Sequence, residues 1–211
     1  MQKKKPGAHC FHFHGLEIRM HPDVYDPAED SFLLLETLEV NSSDALLEIG
    51  TGCGLIALVC ASYGSHVICT DINPFAVQLT RYNIEHNRIL LKGPVEVRRG
   101  DLFSILQKNE KFDVIIFNPP YLPTSKKEKV GGWFDIATNG GRDGLKVTKR
   151  FIHGLHSHLL TNGRAYFIFS SLSNRKNLET YLKNEGFSFE IHARRFFEGE
   201  ELDVYCIAPV D

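Results

Sequence analysis

Hydrophobic positions along the chain keep switching between two periods. Ala45–Gly50 is a short apolar run closed by glycine, and from Leu55 to Tyr63 the apolar residues take helical spacing. The exchange repeats: His66–Thr70 is a strand, Pro74–His86 a helix, and Val95–Arg99 and Phe112–Phe117 are two further strands. A helix within Leu145–His158, a strand at Gly163–Ser170 and a helix including Leu178–Asn184 continue the series. It closes with strands at Phe187–Phe197 and Leu202–Ala208, around a hairpin turn at Glu198-Gly199-Glu200-Glu201. Upstream, Pro27–Leu38 carries proline at a first helical position, early acids and an apolar stripe of Phe32, Leu33, Leu35 and Leu38, which predicts a helix. Strands alternating with helices predict an α/β protein, its mostly parallel sheet covered on both faces and one late strand antiparallel.

Length and charge narrow the reading. The 211 residues suit one domain, with a short N-terminal extension over about the first 20 positions. No run approaches the roughly 20 apolar residues that span a bilayer, and no apolar run follows the basic start, so neither membrane insertion nor a secretory signal is expected. A net charge of -2 argues against a duplex-DNA binder. The five cysteines (Cys10, Cys53, Cys60, Cys69 and Cys206) lack paired spacing, and Cys60 and Cys69, within apolar segments, read as small buried hydrophobes in a reducing compartment. The alternating histidines His9, His12 and His14 have no second ligand group at suitable spacing, so a strand or tail is expected there and no metal.

The first strand of the alternation ends Glu48-Ile49-Gly50-Thr51-Gly52-Cys53-Gly54. Glycines at alternate positions let the backbone turn tightly and approach a ligand with no Cβ in the way. A dinucleotide loop would place its third glycine at position 55, which is Leu55. The spacing resembles instead the S-adenosylmethionine loop of class I methyltransferases. That resemblance implies that Glu48 and the backbone of Gly50, Gly52 and Gly54 lie against the methionine part of the cofactor. Asp71, about 20 residues further on, is placed to accept from the ribose hydroxyls. Asp101 ends the next strand and can accept from the adenine amino group, with Leu102 against the ring.

Asn118-Pro119-Pro120-Tyr121 follows the fourth strand of the series. An amide or heteroaryl amino nitrogen is a poor nucleophile because its lone pair is conjugated. Acceptors on both N–H bonds raise electron density at nitrogen and aim the lone pair. Asn118 can supply one acceptor through its side chain and Pro119 the other through its carbonyl. The prolines stiffen the turn, and Tyr121 can pack on the flat target. Catalysis of this kind works by alignment and charge stabilisation. Glutamine amides, adenine and cytosine amino groups all share the required geometry.

Tyr25-Asp26-Pro27-Ala28-Glu29-Asp30-Ser31, Asn118–Tyr121 and Asn139-Gly140-Gly141-Arg142-Asp143-Gly144 together resemble HemK-type protein-(glutamine-N5) methyltransferases, closest to their archaeal and eukaryotic release-factor branch. The resemblance runs from about Leu16 to Ala208. It implies the class I S-adenosylmethionine-dependent methyltransferase fold, a Rossmann-like seven-stranded sheet with an antiparallel last strand. It implies N5-methylation of the glutamine in the Gly-Gly-Gln motif of a class I peptide release factor, in the cytoplasm and, in a eukaryote, also the nucleus. Ser31 would approach the cofactor, and Tyr25, Pro27 and Glu29 would border the substrate channel beside Asn118, Pro119, Pro120 and Tyr121. The separate N-terminal helical domain of bacterial members has no counterpart in the chain, and the compact branch works with a small zinc-binding activator, expected on the Val95–Arg99 edge strand. The Tyr121–Gly144 connection, with Lys126, Lys127 and Lys129, is a candidate lid. The rival readings are a nucleic-acid adenine-N6 methyltransferase, which must extrude its base, a methyltransferase for another protein side chain, and a noncatalytic cofactor-binding scaffold.

Overall fold

The computed structural model describes residues 9–124, 131–197 and 199–210. Lys126, Lys127, Lys129 and Glu198 therefore lie outside the described residues. In chain order the elements are β1 (Cys10–Phe13), β2 (Leu16–Arg19), α1 (Glu29–Thr37), β3 (Ala45–Ile49), α2 (Leu55–Tyr63), β4 (His66–Asp71), α3 (Pro74–His86), β5 (Val95–Arg99), β6 (Phe112–Phe117), α4 (Gly132–Thr138), α5 (Lys146–His158), β7 (Leu159–Ser170), α6 (Arg175–Asn184), β8 (Phe187–Phe197) and β9 (Glu200–Pro209). Seven strands form one sheet in the order β5-β4-β3-β6-β7-β9-β8, and β1 and β2 form a separate hairpin. Only β9 runs antiparallel to its neighbours in the large sheet. No helix among the described residues is long and apolar enough to cross a membrane.

The central strands are apolar on both faces because both faces are covered. Leu47, Ile49, Ile115, Phe117 and Phe167 pack with Phe151, Ile152 and Leu155 of α5 and Leu178 and Leu182 of α6. Leu46, Val114, Ile116 and Tyr166 alternate to the other face, against Leu33 and Leu34 of α1 and Ile56, Ala57 and Cys60 of α2. That alternation turns continuous apolar runs into the middle layer of three.

Several boundaries differ from expectation. Helix α1 begins at Glu29, because Ala28 takes the extended N-cap position and leaves Pro27 outside. Its buried face is Asp30, Ser31, Leu33 and Leu34, rotated from the expected stripe. Strand β7 starts at Leu159, before the expected Gly163, because Leu159 pairs with Phe112 across an irregularity. Helix α4 sits within the connection expected to be a loop. The N-terminal histidine segment is neither tail nor lone strand. His14 and Gly15 have φ of 49° and 82°, which close a tight hairpin. Asn83 and Asn87, one turn apart on α3, hydrogen-bond the backbone of Arg19 and Glu17 and hold the hairpin on the domain.

Candidate active site

Strand order reverses between β3 and β6, and a cavity of about 480 Å³ opens beyond their carboxyl ends. Its volume is that of a small-molecule site, at the place where open α/β sheets bind ligands. One wall is the loop after β3. Gly50 and Thr51 donate to the Thr70 carbonyl, and Gly52 N donates to Asp71 Oδ2 at 2.9 Å. Asp71 Oδ1 accepts from Asn73 N at 2.8 Å. Burial raises the Asp71 pKa against these bonds. Glu48 is buried, with Oε2 accepting from Thr51 Oγ1 and from Ala57 N at the start of α2, and burial pushes its pKa up to about 8.

The glycines of this loop have separate duties. A Cβ on Gly52 would find its nearest protein atom 3.9 Å away, so its absence leaves space on the cavity wall. A Cβ on Gly54 would come within 2.7 Å of Thr80 Cγ2, so this glycine permits α3 to pack closely on α2. Gly54 does not line the cavity. Next to the loop, Leu102 faces the cavity with φ of 51°, a conformation unusual for a side chain of that size. Asp101 also lines it, with its carboxylate paired to Arg150 at 2.8 Å.

The opposite wall is the turn after β6. Asn118 Nδ2 donates to Asp30 Oδ2 at 3.0 Å and approaches Ser31 Oγ at 3.4 Å. Asn118 Oδ1 is buried with no hydrogen-bond partner among the described residues. Tyr121 donates its hydroxyl to Asp30 Oδ2 at 3.1 Å, while its carbonyl accepts from Ser173 Oγ. The glycine segment 139–144 backs this turn: a Cβ on Gly140 would meet the Pro120 and Gly144 carbonyls at 2.7 Å. Trp133, Phe134 and Ile136 of α4 roof the cavity.

Of the residues singled out in the sequence, Tyr25, Pro27, Ser31, Glu48, Gly50, Gly52, Asp71, Asp101, Leu102, Asn118, Pro119, Pro120 and Tyr121 share this one cavity. Glu29 does not: it projects from the exposed face of the first turn of α1. Sequence reasoning missed Asp30, Arg150 and the roof. The signal for Asp30 was its i, i+3, i+4 relation to Leu33 and Leu34, which puts a carboxylate on the buried face of its helix.

A glycine loop and a strand-end acid opposite an Asn-Pro-Pro-Tyr turn, on this strand order, define a class I methyltransferase. The sequence profile of the methyltransferase small domain family matches residues 16–134. A protein of Methanocaldococcus jannaschii provisionally named a protein N5-glutamine methyltransferase is 42% identical over 90% of this chain and 94% of its own length. Among solved structures, the E. cuniculi Mtq2–Trm112 complex responsible for methylation of the eRF1 translation termination factor superposes with a TM-score of 0.70. It shares 24% identity over 89% of this chain and 99% of that one. A T. thermophilus 16S rRNA methyltransferase bound to AdoMet and guanosine has a TM-score of 0.69, at 20% identity over 97% of this chain and 50% of that one. The chain belongs to the methyltransferase small domain family and, within it, to the HemK-type protein-glutamine methyltransferases. It is an S-adenosylmethionine-dependent enzyme. The clash-free position of Gly52 on the cavity lining and the unpartnered Asn118 oxygen fit a cofactor on one wall and an N–H donor on the other.

Proposed function

We propose that this enzyme methylates the side-chain nitrogen of the glutamine in the Gly-Gly-Gln motif of a class I peptide release factor. The carrying observation is that Asn118 lines the cavity while its Oδ1 is a buried acceptor with no partner among the described residues. Such an atom costs about 1–3 kcal/mol unless something donates to it, and a primary amide is a suitable donor. The relatives named for glutamine methylation and for methylation of a termination factor support this choice of amide.

When bound, S-adenosylmethionine supplies a methyl group made electrophilic by its sulfonium. Gly50, Gly52, Glu48 and Ser31 would hold its methionine part, Asp71 the ribose, and Asp101 and Leu102 the adenine. Asp71 has lone pairs beyond those used by Gly52 and Asn73, so loop and ribose need not compete. Asn118 Oδ1 accepts one N–H of the substrate amide and the Pro119 carbonyl the other. Together they hold the amide plane and draw positive charge from nitrogen as its lone pair reacts. The ring of Tyr121 packs beside that plane, and Tyr25 and Pro27 border the entrance. A glutamine between small neighbours can reach into this cleft because glycine offers no side chain to obstruct it.

A small zinc-binding activator is assigned to β5. This strand is an edge of the sheet, and the segments flanking it expose Ile89, Leu90 and Ile105. Exposed edges and apolar flanks favour strand addition. We assign the reaction to the cytoplasm, and in a eukaryote also to the nucleus, because a release factor is its substrate in this reading.

The test is labelled methyl transfer into intact release factor, with DNA and histone in parallel and the candidate activator present or absent. Mass spectrometry should place one methyl on the Gly-Gly-Gln glutamine, and its replacement by alanine should abolish labelling. Efficient labelling of DNA or histone with release factor untouched would overturn the substrate. Full solubility and activity of the chain alone would remove the activator.

A further inference from the structure

Asp30 lies in the first turn of α1, yet only 3% of it is exposed, and five donor contacts converge on its carboxylate. Oδ1 accepts from Ser31 N at 2.6 Å and Ser31 Oγ at 3.1 Å. Oδ2 accepts from Asn118 Nδ2 at 3.0 Å, Tyr121 Oη at 3.1 Å and Tyr25 Oη at 3.5 Å. An acid placed there only to complement the helix dipole would face solvent. This one instead reaches partners 88 and 91 residues away.

An asparagine side chain has two faces of similar shape and opposite chemistry, and its surroundings decide which way it lies. Were the Asn118 amide reversed, its oxygen would sit 3.0 Å from a carboxylate oxygen, acceptor against acceptor. With the NH2 turned to Asp30 and Ser31, Oδ1 is the atom left unpartnered. A carboxylate bonded to the NH2 also polarises the amide and strengthens Oδ1 as an acceptor. Burial and the Asp30 charge raise the pKa of both Tyr25 and Tyr121, which keeps the two phenols protonated as donors to the same carboxylate.

The geometry points to Asp30 as a positioning residue for methyl transfer: it holds the Asn118 amide with Oδ1 turned to the acceptor nitrogen. This rests on the reading of Asn118 as the group that receives the substrate N–H. Asp30→Asn keeps the volume but offers an NH2 of its own that can capture Oδ1, so kcat should fall about 10- to 10²-fold with the acceptor KM little changed. Because Asp30 acts through Asn118, the double variant Asp30→Asn/Asn118→Ala should be no slower than Asn118→Ala alone. Independently of any substrate, one Nδ2 proton of Asn118 in the wild-type enzyme should resonate downfield and exchange slowly with water. That signature should weaken in Asp30→Asn. A double variant slower by the product of the single losses, wild-type kcat in Asp30→Asn, or a fast-exchanging Asn118 amide would each overturn the assignment. Should Asp30→Asn fail to fold, the wild-type amide spectrum still decides. An enzyme that leaves release factor unmethylated would sink the substrate reading instead, with the amide orientation read from the same spectrum.

Discussion

The two walls of the cavity treat their polar groups in opposite ways. On the glycine-loop wall the backbone donors of Gly50, Thr51 and Gly52 all have internal partners, and both Asp71 oxygens are engaged. On the facing wall the Asn118 amide is half satisfied, with its NH2 held and its oxygen unmet. The first wall is a finished platform that a ligand can join. The second is incomplete until a donor arrives, so the energy of meeting it is available at the reacting nitrogen. Rigidity and unmet bonding are thus segregated across a few ångströms.

Substitutions should separate the walls. The largest effect belongs to the unmet wall. Asn118→Ala should lower turnover about 10²–10³-fold, the usual consequence of losing one transition-state hydrogen bond, while S-adenosylhomocysteine affinity by calorimetry changes far less. Equal losses in both would mean that the walls are not separate. Next, Asp71→Ala should weaken S-adenosylhomocysteine binding by about 1.5–3 kcal/mol, the range for hydrogen bonds to charged groups. A folded variant with unchanged affinity would release Asp71 from the cofactor.

The loop glycines, one on the first wall and one behind it, sharpen the contrast. Gly54→Ala meets Thr80 and an unfavourable φ of 85°, so urea denaturation should show a loss of about 1–3 kcal/mol. Gly52→Ala meets only ordinary van der Waals contacts, the Tyr25 carbonyl at 3.9 Å and Val24 at 4.0 Å, so its stability loss should be near the smaller strain of its φ alone, about 1 kcal/mol, with cofactor affinity taking the main effect. Reversal of these two profiles would reverse their assigned duties. The effect that is smallest at any single step of pH is the protonation of Glu48. Its pKa is raised from 4.5 to about 8, so the unfolded chain releases that proton first. Native stability should therefore decline across that window, by at most about 1.4 kcal/mol per pH unit. Glu48→Gln lacks this slope, and its stability relative to wild type should improve from pH 5 to pH 8. A difference independent of pH would show that Glu48 is ionised throughout.

The sheet was legible because its strands are buried on both faces: Val95–Arg99 and Phe112–Phe117 form as the pattern predicts, and so do the helices Leu55–Tyr63 and Pro74–His86. Strand ends in a parallel sheet collect at one edge, which is why the glycine loop, Asp71 and Asn118–Tyr121 could be expected at one cavity. Features set by long-range contact were not legible. The start of β7 depends on pairing with Phe112, and the N-terminal hairpin depends on two asparagines of α3. The packing duty of Gly54 was not legible because a glycine needed for helix packing looks, in sequence, like one needed for a ligand. Asp30 read as a first-turn acid because its burial is created by a turn 88 residues later.

The position of β9 has a consequence for synthesis. This strand lies between β7 and β8, yet it follows both in the chain. As the polypeptide leaves the ribosome, β8 emerges before the strand that must separate it from β7, and the β7 edge stays open meanwhile. An open edge bearing apolar side chains can pair with the wrong strand or with another chain, so this interval is where a chaperone would matter most. Tyr205 and Ile207 of β9 are fully buried, so the sheet closes only when they arrive. A stop codon at position 200 would delete one strand from the sequence and unseat two from the sheet.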